Sequence, residues 1–247
     1  MHNPQGHHPV VLICEHASAY IPAEYKNLGL DPVAVKSHIA WDPGAAVLAR
    51  EMSAMLDSVL VESAVSRLVY DCNRPPEAPS AMPAQSEVYA IPGNRSMTQA
   101  QKEHRITTCY RPFEALVTQT LNTHAVTPVL VTIHSFTPIF HGKKRDVEIG
   151  LLHDNDSRLT DALLDIADVY EVRRNEPYAA TDGVTHTLQL HGLSRGIHNV
   201  MIEVRNDLLA TNEQCHSMAA TLTGWISRAL AGIDDRNSPA ENARHPS

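Results

Sequence analysis

The sequence predicts an α/β fold: a mostly parallel sheet covered on both faces by helices. Three observations predict it. Segments 9–14, 129–135 and 199–205 are short apolar runs without the polar alternation of a half-exposed strand. Between them lie segments whose apolar residues recur at helical spacing. Two of the runs lead into a histidine, His16 and His134, and the third carries Glu203. In open α/β sheets, the carboxyl ends of the strands are where active sites gather.

The run 9–14 reads as a buried strand, and 15–31 as a loop with turn signals at Pro22 and Gly29. Asp42-Pro43-Gly44 opens a helix in which Ala45, Leu48, Ala49, Met52, Met55 and Leu56 recur at helical spacing. Pro43 suits a first helical position and Asp42 an N-cap. A strand is expected over 58–61 and a short extended piece over 67–70. Segment 73–94 holds Pro75, Pro76, Pro79, Pro83 and Pro92 with Gly93, and reads as a long irregular loop of the functional or mobile kind. Residues 98–124 read as a helix capped by Ser96 or Thr98, with Phe113, Val117 and Leu121 on its stripe and a kink or break at Pro112. Strands follow at 129–135, 147–152, 169–173 and 199–205, with helices at 159–167 and 212–230 and a helix or turn at 183–192. One domain is expected over 1–233, with a disordered tail over 234–247.

A chain of 247 residues can bury a substantial core, and its 43% hydrophobic and 19% charged residues suit a globular protein. The formal net charge of -8 gives no polyanion footprint, so nucleic acid is not the expected partner. A locally positive pocket can still take a small anionic substrate. Cys14, Cys72, Cys109 and Cys215 are scattered, with no CxxC pair, which argues against a thiolate zinc site and a disulfide framework. Residues 1–8 lack the apolar core of a signal peptide, and no apolar run approaches a membrane span. The expectation is a cytoplasmic protein with no membrane partner.

Two strand-end histidines can meet at the carboxyl edge of one parallel sheet. Two neutral imidazoles and one carboxylate make a catalytic zinc set that leaves a position open for water. Asp42 is the candidate third ligand beside His16 and His134, with a plain helix cap as its bland reading. Glu15 is the rival ligand, although strand geometry points it away from His16. Glu203 is the candidate general base, because a carboxylate in an apolar strand is costly unless paired or used. The bland alternative is a salt bridge from Glu203 to Arg205 or Arg67. Segment 66–74 supplies Arg67, Asn73 and Arg74, and arginine grips carboxylates through paired hydrogen bonds. Arg67 could equally form a salt bridge with Asp71.

At these residues the chain resembles the N-formylglutamate amidohydrolase family. The matching segments are Glu15-His16-Ala17-Ser18 with Pro22, His38-Ile39-Ala40-Trp41-Asp42-Pro43-Gly44-Ala45, and Arg67-Leu68-Val69-Tyr70-Asp71-Cys72-Asn73-Arg74. Further along come Ile133-His134-Ser135-Phe136-Thr137-Pro138, Asn175-Glu176-Pro177-Tyr178, and His191-Gly192 leading to Ile202-Glu203-Val204-Arg205-Asn206-Asp207. The resemblance implies a three-layer α/β/α fold, phosphorylase/hydrolase-like, with a mixed but mostly parallel sheet, as in zinc carboxypeptidases and peptidoglycan amidases. It implies one zinc ion, or another divalent metal, on His16, Asp42 and His134. It implies Glu203 and Arg67 as catalytic, and Asn73, Arg74, Tyr178 and His191 as substrate contacts. It favours Asp42 over Glu15, because Asp42-Pro43-Gly44-Ala45 is similar to the amidase helix start that brings the acidic ligand. The chain departs from the pattern at His16-Ala17-Ser18, where members acting in histidine degradation typically have a His-Ser-Gly-type sequence.

The function expected is hydrolysis of the amide of a small N-acyl acidic amino acid, N-formyl-L-glutamate first. A second reading keeps the metal and takes larger amides such as cell-wall peptides; folding of loop 73–94 over the site would exclude them. A third is a metal- or carboxylate-binding module without turnover, in which Glu203 would be salt-bridged and remote from the metal.

Overall fold

The computed structural model describes residues 1–237. Val10–Cys14 (β1) is a strand with every residue buried. A 3₁₀ turn at Ala23–Gly29 and a short helix, Pro32–Lys36 (α1), follow inside the segment expected to be loop and just beyond it. Asp31 caps α1, accepting from the N–H groups of Val33 and Ala34, a signal that sequence reading passed over. Ala45–Leu56 (α2) and Val59–Glu62 (β2) lie where helical spacing and the apolar run put them. Residues 67–70 are turned rather than extended: the amides of Val69 and Tyr70 bond back to Ser66 O. The Ser66 hydroxyl anchors that turn on Ala40 O, and Leu68 and Val69 plug a satellite core with Ile21 and Ile91.

The proline-rich segment holds a hairpin, Gln85–Ser86 (β3) with Tyr89–Ala90 (β4), and two 3₁₀ turns. Asn94 fastens it from within, donating to Leu68 O and Pro83 O. Gln99–Arg105 (α3) starts at Thr98 with a capping box to Gln101. A π turn, Ile106–Tyr110, joins it to Arg111–Thr123 (α4). Pro112 therefore sits in the first turn of α4, where its missing N–H is harmless, and the expected break becomes a local widening just before it.

Val129–Phe136 (β5) is followed by a hairpin, Ile139–Phe140 (β6) with Lys143–Lys144 (β7). Ile149–Leu152 (β8), Arg158–Leu164 (α5), Val172–Arg174 (β9), Asn199–Arg205 (β10) and Asn212–Asn237 (α6) complete the chain. Segment 183–192 ends in a π turn, Leu188–Gly192. Helix α6 runs past the expected end at 230, so residues 234–237 are helical rather than tail. The rest of the expected tail, 238–247, lies outside the described residues.

The main sheet has the order β2-β1-β5-β10-β8-β9. Strands β2, β1, β5 and β10 run parallel, β8 is antiparallel to β10, and β9 follows β8. On one face Leu12, Val131, Ile133 and Ile202 pack against α2, α5 and α6 around Trp225. On the other, Ile13, Leu130 and Met201 pack against Phe113, Val117 and Leu121 of α4. The layers are thus α/β/α. Side chains alternate across a strand, so His134 and Glu203 fall on the face of Leu130 and Met201, not on the α6 face.

Candidate metal centre and catalytic cleft

The parallel register sets His134 of β5 directly beside Glu203 of β10. Two residues beyond β1, His16 reaches the same edge, and its carbonyl accepts the amide of Asp42 (3.0 Å). Asp42 does not cap α2; Gly44 fills that position with φ 83°. A β-carbon on Gly44 would overlap Leu209, so only glycine lets the chain turn here. The Asp42 carboxylate is thereby left to face the sheet edge. Its Oδ2 lies 3.2 Å from His16 Nδ1 and 3.0 Å from His134 Nδ1. The two Nδ1 atoms are 3.2 Å apart.

Two further carboxylates stand behind the imidazoles. Asp71 Oδ1 is 2.7 Å from His16 Nε2, and Glu15 Oε2 is 3.1 Å from His134 Nε2. Glu15, the rival ligand, is therefore an outer partner of His134, while Asp42 joins the histidines. The hydrogen bond to Asp71 sets the neutral His16 ring with its proton at Nε2 and a lone pair inward at Nδ1; Glu15, at ion-pair distance from His134 Nε2 though without hydrogen-bond geometry, favours the same arrangement in His134 by charge. Two lone pairs and an anionic oxygen then converge, which is repulsive unless a proton or a cation lies among them.

All three of these residues are buried, and their ligand atoms lie within 4.8 Å of one another. Tetrahedral ligation at about 2.0–2.1 Å separates ligand atoms by about 3.3 Å, close to the spacing found. The donor set therefore fits a divalent cation. Without one, protons take its place. Burial works against charge on His16 and His134, but the surrounding carboxylates outweigh it and hold both imidazoles above their ordinary range. Burial likewise opposes charge on Asp42 and Asp71, and the neighbouring imidazoles and Arg67 hold both well below theirs.

Glu203 stands apart from these pairings. Burial, reinforced by the Asp42 carboxylate, pushes its carboxyl up to about 7. Its Oε2 is buried without a hydrogen-bond partner among the described residues. The salt bridge to Arg205 does not form; that guanidinium engages Asp207 and Glu148. Glu203 instead lines an inner pocket of about 140 Å³ together with His16, Asp42 and His134.

Arg67 bridges two carboxylates, donating to Asp42 Oδ1 and Asp71 Oδ2, each at 3.2 Å. The sequence-level alternative, a salt bridge with Asp71, is thus realised, and the same side chain also lines the pocket. Arg74 lines it as well and donates to Asn73 O. The Asn73 side chain donates to Val184 O and accepts from Thr187 N, so it pins the opposite wall. Tyr178 lines both the inner pocket and an outer one of about 230 Å³. Its hydroxyl accepts from Arg145, whose guanidinium also stacks on the rings of Phe136 and Phe140. His191 is buried but does not line the cleft. Sequence reading missed Asp71 and Arg145 as site residues. The Arg67/Asp71 spacing was the visible signal for the first; nothing local marked the second.

The outer pocket continues from Asp42, Arg67 and Arg74 toward His38, Ser80, Ser86 and Glu87. The proline-rich segment therefore supplies one wall of the cleft.

Comparison with known proteins places these features in a wider set. The family described as N-formylglutamate amidohydrolase matches residues 8–210. The crystal structure of gene product Atu2144 from Agrobacterium tumefaciens is similar at 49% identity, covering 94% of each chain with a TM-score of 0.92. The crystal structure of N-formylglutamate amidohydrolase from Ralstonia eutropha JMP134 shares the fold, at 18% identity and a TM-score of 0.64, over 93% of this chain and 95% of that one. No curated protein matches the chain.

Proposed function

This chain belongs to the N-formylglutamate amidohydrolase family, hydrolases acting on amides, and on that premise we propose that it is a metal-dependent amidohydrolase of small N-acyl amino acids. N-formyl-L-glutamate, cleaved to formate and L-glutamate, is the first candidate, by the family's name. The observation that carries the reading is the convergence of His16 Nδ1, His134 Nδ1 and Asp42 Oδ2 beside a Glu203 with an unpaired buried oxygen.

His16, Asp42 and His134 would hold one zinc ion per chain; histidine and carboxylate ligands also accept manganese, cobalt or nickel. When bound, the cation supplies Lewis acidity toward water and the amide carbonyl. Glu203 takes the proton of the attacking water and returns it to the leaving nitrogen, which sets two proton transfers on one carboxylate. Asp42 and Asp71 fix Arg67 with two of its N–H groups. The remaining N–H groups are available to stabilise the developing oxyanion. Arg74 receives the substrate carboxylate, Tyr178 closes one side, and Asn73 holds the wall at 184–187.

His134 and Glu203 sit on adjacent strands and the other residues on segments flanking the same sheet edge, which supports reading 1–233 as one catalytic domain. Ser80, Ser86 and Glu87 line the outer pocket of about 230 Å³, a size that suits a small substrate better than a cell-wall peptide. No helix among the described residues is long and apolar enough to cross a membrane. Four free cysteines support a reducing, cytoplasmic setting.

Metal analysis together with turnover tests the reading. Wild-type protein should carry about one divalent ion per chain and hydrolyse N-formyl amino acids. Protein that binds no metal after reconstitution, and releases no formate from any of them, would sink it.

A further inference from the structure

Two guanidiniums at the cleft, Arg74 and Arg145, have no carboxylate in salt-bridge contact among the described residues; their acceptors are Asn73 O for the first, and Thr137 and the Tyr178 hydroxyl for the second. The carboxylates that line the pockets are otherwise engaged. Asp42 and Asp71 share Arg67. Glu87 lies 2.9 Å from His38 Nε2, and Glu203 stands beside the metal set. Arg74 lines both pockets and, in the reading above, receives one carboxylate of the substrate. Arg145 lies behind the wall that Phe136, Thr137 and Tyr178 give to the outer pocket. Its charge is still unmatched there.

The Arg145 guanidinium is held on its edge and on its faces. One terminal N–H donates to Thr137 O (3.2 Å) and another to the Tyr178 hydroxyl (3.3 Å). The rings of Phe140, Tyr178 and Phe136 lie with their centroids 4.4, 5.1 and 5.4 Å from it. Aromatic rings hold a cation by their quadrupole and keep water from it, so its field is weakly screened. Tyr178 carries that field to the cleft, since its side chain lines both pockets. The Tyr178 oxygen accepts from Arg145, and its own O–H has no acceptor among the described residues. Burial, reinforced by Glu203, holds this phenol above its ordinary range, so it keeps its proton at neutral pH. A phenol polarised by a guanidinium donates a strengthened hydrogen bond, and a carboxylate is the acceptor that gains most from it. The Thr137 hydroxyl does not compete, because it donates to Ile139 O (2.9 Å).

Within the amidohydrolase reading, we infer that Arg145 is a positioning and specificity-determining residue: it orients the Tyr178 hydroxyl to donate to a second carboxylate of the substrate, and it supplies the charge that matches that carboxylate. Arg74 and the Arg145–Tyr178 pair then take one carboxylate each. A purely structural Arg145, pinning the β6–β7 hairpin to Tyr178, would affect charged and neutral substrates alike.

The test is calorimetric titration of metal-loaded Glu203→Gln protein, which binds without turning over, with N-formyl-L-glutamate and its neutral isostere N-formyl-L-glutamine. The dicarboxylate should bind about tenfold more tightly or better, and adding Arg145→Gln should bring the two within about threefold while leaving the glutamine compound nearly unmoved. Arg145→Lys, which keeps the charge, should keep part of the preference. Tyr178→Phe removes only the hydroxyl and should cut the preference by about threefold or more with Arg145 in place. Circular dichroism checks each fold, and Tyr178→Phe decides alone if Arg145→Gln does not fold. A preference that survives Arg145→Gln or Tyr178→Phe overturns the inference. So do equal losses for both compounds, an Arg145→Lys variant no better than Arg145→Gln, no preference at the outset, and binding of neither. Formate release from both compounds by proteins that retain Glu203 is measured in parallel. A binding preference that depends on Arg145, without any turnover, overturns the hydrolase reading and leaves the role of Arg145 standing. Turnover in which Arg145→Gln leaves the ratio of the two KM values unchanged does the reverse.

Discussion

Glu203 and His134 are direct cross-strand neighbours in the parallel register of β10 and β5. One carries a proposed proton carrier and the other a proposed ligand, on the same face and at the same height of the sheet. The spacing of the proposed base and the proposed ligand is thus fixed by backbone hydrogen bonds rather than by loops. Strand-borne groups hold position better than loop-borne ones.

Glu203→Gln keeps the shape and removes the base. We expect kcat to fall by about 10²–10⁴-fold with metal content unchanged. Formate release and elemental analysis on the same preparation check this; a mutant within threefold of wild type would remove Glu203 from the chemistry.

The pH response follows from two opposed shifts. In metal-free protein Glu203 is pushed up to about 7, so the fraction able to act as a base falls as pH drops through that value. A divalent cation next to it favours the carboxylate, so the acid limb of kcat/KM in loaded enzyme should lie below 7. Carboxyl-resolved NMR of metal-free and loaded protein should show Glu203 titrating near 7 and then lower. A titration that metal leaves unmoved would contradict the proposed placement.

Metal-free protein should lose stability as pH rises. His16 and His134 have folded values above the ordinary 6.5. Their contribution is therefore complete below 6.5 and is lost as pH climbs through the raised values. Glu203 acts in the same direction, since its ionisation is opposed in the folded state. Bound metal replaces those protons. Thermal unfolding from pH 6 to 9 should show a falling Tm without metal and a flatter one with it; parallel curves would count against a cation held by these groups.

Asp71→Asn tests the support behind His16. Asp71 accepts from His16 Nε2 and from Arg67. Weakening that support should lower metal affinity by about 10–100-fold with the fold intact. Competition with a chelator reads the affinity and circular dichroism the fold; unchanged affinity would make Asp71 only a partner of Arg67.

Gly44→Ala probes the turn that frees Asp42. With φ at 83° and Leu209 against the missing β-carbon, the substitution should cost about 1–3 kcal/mol from strain alone. Metal affinity should drop with it, because Asp42 moves. A Tm and an affinity equal to wild type would show that the turn tolerates a side chain.

Much of this architecture is written in local patterns. The apolar runs ending near His16 and His134, the run through Glu203 and the helical spacing after Gly44 are properties of adjacent residues, and they found the strands, α2 and the ligand candidates. Local signals failed where a long-range partner decides. Residues 67–70 are β-rich, yet Ser66 reaches Ala40 and folds them into a turn. Asp42 has the look of a helix cap, yet His16 and His134 claim its carboxylate. Arg67 reads as a substrate clamp until Asp42 and Asp71, brought from 25 positions upstream and four positions downstream, are seen to hold it. Alternation along a strand needs only the chain itself, and so the sequence by itself determined which residues share a sheet face. Which carboxylate meets which cation depends on the folded path of several loops, and only the tertiary structure decided it.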